Sequence, residues 1–346
     1  MALDAIALAQ KIKYQFEQYR AEKQFTQIAK LLTYALQVLP VEYNLQIFGY
    51  IPDLFRQVEL YDYQISPKDL YLGEPVIYKL YFRDRQKLYN LPYFYIFCYL
   101  KLDSSQLNVY FQSANAKYKP LTQEQYDLER GKISFEGSVS AFNGDNISVV
   151  SISDPGQFVA GITSSYYVGS PELNFNQAIA GVLEKICTLA NMSLQDTLLF
   201  GSSAGTFGAL MSSTYLSQKT NVLAVNGQIN IQYRRILMKS LLNLDRPPEL
   251  LRLFGDRVSC VCRFERDKIT IPNIYLLANL NDNLHQRNFK FYQLLISKYS
   301  NRGMNNQFVF DSYYGVEGHG RPEVNSLKAK LRIAREILTM KSTVDG

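Results

Sequence analysis

Apolar residues recur at three- and four-residue spacing from the start of the chain. Leu8, Ile12, Phe16 and Tyr19 form one stripe. Ile28, Leu31, Leu32, Ala35, Leu36 and Leu39 form a second, which opens at Thr26 and stops at Pro40. This period predicts two helices, with a third short one over 41–50 ahead of Pro52. One helical pair cannot bury its own apolar face, so it must pack on the rest of the chain or on a partner.

From about Pro67 the period shortens. Residues 76–82 and 93–100 are rich in aromatic and β-branched side chains and read as strands, as do 107–111. The run 146–153 reads as a buried strand closed by the turn residues Asp154, Pro155 and Gly156. Beyond it, helix and strand patterns alternate. Helices are expected over 175–189, 204–216, 231–242, 289–299 and 322–340, and strands over 196–200, 222–225, 274–280 and 308–310. That order predicts an α/β fold with a mostly parallel sheet and helices on both faces. Its sites belong in loops at the carboxyl ends of the strands. The expected organisation is a helical N-terminal segment over 1–60 and an α/β domain over 67–346, with 67–105 as a β extension.

Composition narrows the classes. The chain is 47% hydrophobic and 20% charged, which excludes a disordered protein. A net charge of +6 with no basic block permits anionic partners but argues against a nucleic-acid binder. Four cysteines with no secretion signal read as reduced thiols and point to the cytoplasm. Cys260 and Cys262 have the wrong spacing for zinc, and two histidines add little, so no metal and no cofactor is expected. No apolar run is long enough for a transmembrane span. The 26 tyrosines are expected mainly at core and half-buried strand positions.

The chemistry gathers around Gly201-Ser202-Ser203-Ala204-Gly205, a G-x-S-x-G pattern between an apolar strand and an apolar helix. Reversing the chain at one residue forces that serine into a strained backbone, and bulky neighbours would keep strand and helix from closing. The alternative is an ordinary Gly/Ser-rich strand-to-helix turn. A Walker A loop is excluded because no Gly-Lys-Ser/Thr follows. Ser203 needs a base. Enzymes with this motif place nucleophile, acid and histidine in that order along the chain, which favours His319 over His285. Asp282, after the strand 274–280, is the expected acid, although Asn281-Asp282-Asn283 also suits a plain turn. Asp311 and Glu317 are reserves. The oxyanion would be held by the N–H of Ala204 and by Ser113 or Ala114, after the strand 107–111. Tyr166 and Tyr167 could face a sugar ring or simply line a wall.

The segments Val109–Ala114, Ile152–Pro155, Tyr166–Ser170, Phe200–Leu210 and Asn281–His285 together resemble a subgroup of α/β-hydrolases. That subgroup occurs in bacterial surface-polysaccharide loci and in the accessory Sec glycoprotein-export system. The resemblance spans about 105–320. It implies an α/β-hydrolase fold, a Ser203–Asp282–His319 triad and acyl-ester chemistry on glycans or glycoproteins. Thr206 departs from the second glycine common at its position. The expected function is therefore a serine esterase or O-acyltransferase acting on acyl esters of glycans or glycoconjugates. The rival is a non-catalytic partner in polysaccharide or glycoprotein assembly that docks other proteins through its N-terminal helices.

Overall fold

The computed structural model describes residues 2–38, 55–61, 63–82, 93–114, 135–142, 145–155, 162–244, 246–300, 307–315 and 322–339. The helix expected over 41–50 lies outside these residues. The chain forms two compact units, 1–165 and 166–346.

In the first unit, helices α1 (Ala2–Ala21) and α2 (Phe25–Val38) pack against each other. The face that α1 buries is Ala5, Ala9, Ile12 and Phe16, and α2 contributes Ile28, Leu31 and Ala35. These positions repeat every three or four residues, as a one-sided apolar stripe requires. The α2 helix also packs on the short turn over 138–142, and Arg20 pairs with Glu74 at 2.6 Å. Five strands follow: β1 (Phe55–Leu60), β2 (Pro75–Phe82), β3 (Tyr93–Tyr99), β4 (Leu107–Phe111) and β5 (Ser148–Ile152). Their order is β1-β2-β3-β5-β4. The β1–β2 and β4–β5 pairs are parallel, and β3 runs antiparallel to both β2 and β5. The described tyrosines divide between core and surface, with Tyr14, Tyr34, Tyr61, Tyr233 and Tyr314 exposed. Tyr78 and Tyr95 are fully buried on β2 and β3, and the Tyr78 hydroxyl accepts the Tyr71 N–H at 2.9 Å.

The second unit continues with α3 (Phe175–Leu189), β6 (Thr197–Ser202), α4 (Ala204–Ser213) and β7 (Asn221–Val225). Then come α5 (Arg235–Leu242), α6 (Pro247–Val258), α7 (Cys260–Phe264) and β8 (Asn273–Asn279). It closes with α8 (Asn283–Ser300), β9 (Phe308–Tyr313) and α9 (Val324–Thr339). Strands β6 to β9 are adjacent in that order and all parallel. Every residue of β6 and β7 is buried, so both faces are covered. The α4 helix packs on β6 and β7, and α9 on β7 and β8.

Most boundaries fall within a few residues of the pattern. The α5 helix starts later than expected because Asn230 bridges to Ser259 and the Ile231 N–H is held by the Val258 carbonyl at 3.0 Å. Strand β1 and helices α6 and α7 escaped the reading. In β1 the alternation of Val58 and Leu60 with Gln57 and Glu59 is short and interrupted by charge. The α6 helix opens on Pro247 and Pro248, a start signal that proline gives by lacking the N–H a first turn leaves unused.

Candidate active site

β6 ends at Ser202 and α4 begins at Ala204, so Ser203 alone turns the chain. Its φ is 53° and its ψ −114°, a conformation that side-chain-bearing residues avoid. The surroundings impose it. The Ser203 N–H donates to Val225 O at 2.9 Å, and its carbonyl accepts the Gln228 N–H at 3.4 Å. A Cβ on Gly201 would stand 2.2 Å from Gly205 O, so strand and helix close only over a glycine. Thr206 adds a clasp, its hydroxyl lying 2.8 Å from Gly201 O and 3.1 Å from Val225 O. The space its methyl fills is left open by Gly227, where a Cβ would come within 2.3 Å of Thr206 Cγ2. Ala204 is the first residue of α4, so its N–H has no carbonyl within the helix to serve. Ser203 itself is half-buried and accessible.

The loops after β7, β8 and β9 leave the sheet stitched together by asparagines. Asn226 Oδ1 accepts the Asn279 N–H at 2.7 Å, and Asn226 Nδ2 donates to the Tyr313 hydroxyl at 2.6 Å. Asn279 Oδ1 then accepts the N–H groups of Asn281 at 3.1 Å and Gly315 at 2.9 Å. Asn281 Nδ2 returns to Gly315 O at 3.0 Å. The chain carrying Asp282 and the chain leading toward His319 are thus bound side by side. Asp282 is buried, its N–H on Asn279 O at 3.1 Å. Tyr292 on α8 donates its hydroxyl to Gly227 O. Burial, then the nearby Asp282 charge and Cys260, push that phenol well above its ordinary range, so it remains a neutral donor. His319 and Glu317 lie outside the described residues. His285 falls in the first turn of α8, and its side chain lies outside them as well.

Of the other named residues, Asp311 is engaged elsewhere. Lys330 forms an ion pair with its carboxylate, and the Tyr275 hydroxyl and Ser312 N–H donate to it. Burial alone would raise this carboxyl, but those donors outweigh burial and hold it below its ordinary value. In the first unit, the Gln112 N–H is taken by Ile152 O at 3.1 Å and the Ser113 N–H by Glu136 Oε1 at 2.6 Å. Among the described residues the Ala114 N–H has no acceptor.

Tyr166 and Tyr167 both have positive φ, 53° and 59°, and both are buried. Tyr166 donates its hydroxyl to Gln228 Oε1 at 2.9 Å and meets the Phe207 ring edge-on. The Tyr167 carbonyl accepts from Asn176 Nδ2 at 3.0 Å. Arg257 holds the following turn through the carbonyls of Val168, Ser170, Pro171 and Leu173.

Three of the four cysteines are buried, and Cys262 is partly exposed. Cys98 and Cys260 are fully buried, which raises their thiols far above neutrality, and burial pushes Cys187 up to about 11. Among the described residues no group of three or more His, Cys, Asp or Glu could hold a metal, and no helix is long and apolar enough to cross a membrane.

Sequence reasoning missed Asn226, Asn279, Gln228 and Glu136. The only signal was an asparagine at the end of an apolar strand run, which also marks ordinary turns.

A mostly parallel sheet with one antiparallel strand in its first half, and a sharp strand-to-helix turn at Ser203 after β6, fit an α/β-hydrolase fold. No family model and no curated protein matches the chain. Among solved structures it is similar to the capsule O-acetyltransferase of Neisseria meningitidis serogroup A. The identity is 14%, the TM-score 0.50, and the match covers 70% of this chain and 91% of that one. It is also similar to a chain of the glycosylation-associated protein (Gap123) complex of Streptococcus agalactiae, at 16% identity and TM-score 0.43, over 74% of this chain and 46% of that one. Esterase 2 of Thermogutta terrifontis matches at 14% identity and TM-score 0.45, over 71% of this chain and 89% of that one. The first likeness supports the fold, one that carries acyl transfer in that relative.

Proposed function

We propose that the protein is a serine esterase or O-acyltransferase acting on acyl esters of glycans or glycoconjugates. Ser203 Oγ attacks the acyl carbonyl while His319 takes its proton, and Asp282 orients and stabilises the imidazolium. The N–H of Ala204, unused at the start of α4, helps hold the oxyanion. Collapse expels the sugar alkoxide, which takes the proton back from His319. The acyl-enzyme then passes to water or to a second hydroxyl.

The observation that carries this reading is the Ser203 backbone at φ 53°, an outlier imposed by Gly201, Val225 and Gln228. Strain of this kind costs about 1–3 kcal/mol, persists only where the surroundings over-determine it, and clusters at active sites. Intact mass after incubation with simple acyl esters tests the proposal. An acyl adduct mapping to Ser203 is expected, and its partition between water and added glycan separates hydrolase from transferase. Full turnover by Ser203→Ala would overturn it.

A further inference from the structure

Arg234 is tied to the Ser203 turn through Gln228. Gln228, whose N–H holds the Ser203 carbonyl at 3.4 Å, also accepts on Oε1 from the Tyr166 hydroxyl at 2.9 Å and from Arg234 Nη2. The Arg234 guanidinium lies 5.0 Å above the Tyr166 ring. That ring rests edge-on against Phe207, four residues beyond Ser203 on α4, at 6.1 Å. The guanidinium is therefore fixed to the nucleophile turn by an amide, a ring face and a packed aromatic. None of these groups carries charge.

Arg234 is exposed, and among the described residues it has no ion pair. One of its five guanidinium N–H groups is used, and the rest of the fork faces solvent. Arg235, the next residue in the chain, is exposed as well and lines a groove of about 460 Å³ with Arg246 and Glu249. A planar fork held in place by neutral partners is suited to bidentate capture of an oxyanion, which a lysine point charge is not.

We infer that Arg234 is a substrate-binding residue that captures an oxyanion, a carboxylate or a phosphate, carried by the glycan. This inference rests on the reading of Ser203 as the nucleophile, since that reading makes the neighbouring surface a substrate site. The enzyme would then favour acidic glycans over neutral ones.

Calorimetric titration of the full-length protein in low salt tests it with methyl glucuronoside, glucose 6-phosphate and methyl glucoside. The wild type is expected to bind at least one acidic sugar about tenfold more tightly than the glucoside, the scale of a charge-assisted contact. The two acidic arms tell carboxylate from phosphate. Arg234→Gln should abolish the preference, Arg234→Lys should retain part of it, and Arg252→Gln, on the exposed face of α6, should leave it intact. Melting temperatures of the variants check folding. A wild type with no preference for charge, or a preference that survives Arg234→Gln, would overturn the inference. Labelling by a neutral fluorophosphonate keeps the two readings apart. Labelled Ser203 without a charge preference refutes the anion site alone. A charge preference without labelling refutes the nucleophile alone.

Discussion

At the end of β6 the chain is turned by contacts among close neighbours in sequence, with Gly201 against Gly205 and the Thr206 hydroxyl back on Gly201 O. At the ends of β8 and β9 it is turned by asparagine side chains from distant segments. Asn226 reaches Asn279 across 53 residues and Tyr313 across 87. The first turn is a van der Waals device, with no slack because backbone atoms already touch. The second is a hydrogen-bond device, whose geometry depends on three strands keeping register. A packed turn fails by collision, and a stitched turn fails by loosening. Mutations should separate the two by whether stability or turnover suffers first.

The largest effect is expected at the packed turn. Gly201→Ala drives a Cβ to 2.2 Å from Gly205 O, and neither backbone segment can retreat. We expect a loss of about 3 kcal/mol, read by urea denaturation, with turnover lost as well. The stitched turn should behave differently. Asn279→Ala removes the acceptor for two N–H groups and should cost about 2 kcal/mol. If Asp282 serves the reaction as proposed, turnover should fall further than this loss of stability explains, because the segment carrying Asp282 loses the acceptor it shares with Gly315. Activity falling only in step with unfolding would break the comparison.

Smaller effects sharpen it. Thr206→Val removes the clasp from Gly201 O and Val225 O and should cost about 1 kcal/mol, measured by the same denaturation. Thr206→Ser, which keeps the hydroxyl and removes the methyl 2.3 Å from a Cβ at 227 but leaves the Thr206 Cβ 2.9 Å away, should reduce the cost of Gly227→Ala without abolishing it, so the pair should be non-additive. The smallest effect is at Asp311, away from both turns. Its carboxyl is held below its ordinary value in the folded chain, so it adds stability at pH above the unfolded pKa of about 3.9. That contribution is lost as pH falls through the folded value. Asp311→Asn should lower the melting temperature slightly at pH 7, and the gap from wild type should close under acid.

The same contrast explains what was legible. The Ser203 turn is written in consecutive residues, so spacing and flanking periodicity were enough to find it. The positions of β2 to β9 followed from apolar runs for the same reason. The stitches were not legible, because nothing in Asn226 or Asn279 marks the residue each will meet in another strand. The Ser113 amide was a reasonable oxyanion candidate by position, yet it donates to Glu136, 23 residues on. Burial of Tyr166 and Tyr167 at positive φ was likewise invisible, since it depends on Arg257 gathering four carbonyls of the turn that follows. Local geometry reads out of a sequence, and side-chain contacts between strands do not.

The proposed function requires Ser203 to be an activated nucleophile. Fluorophosphonate labelling followed by peptide mapping tests it directly on wild type, Ser203→Ala and His319→Ala. A single phosphonylated serine at 203 is expected in the wild type, none in Ser203→Ala and a much slower reaction in His319→Ala. Equal labelling of wild type and Ser203→Ala, or a wild type that stays unlabelled, would contradict it.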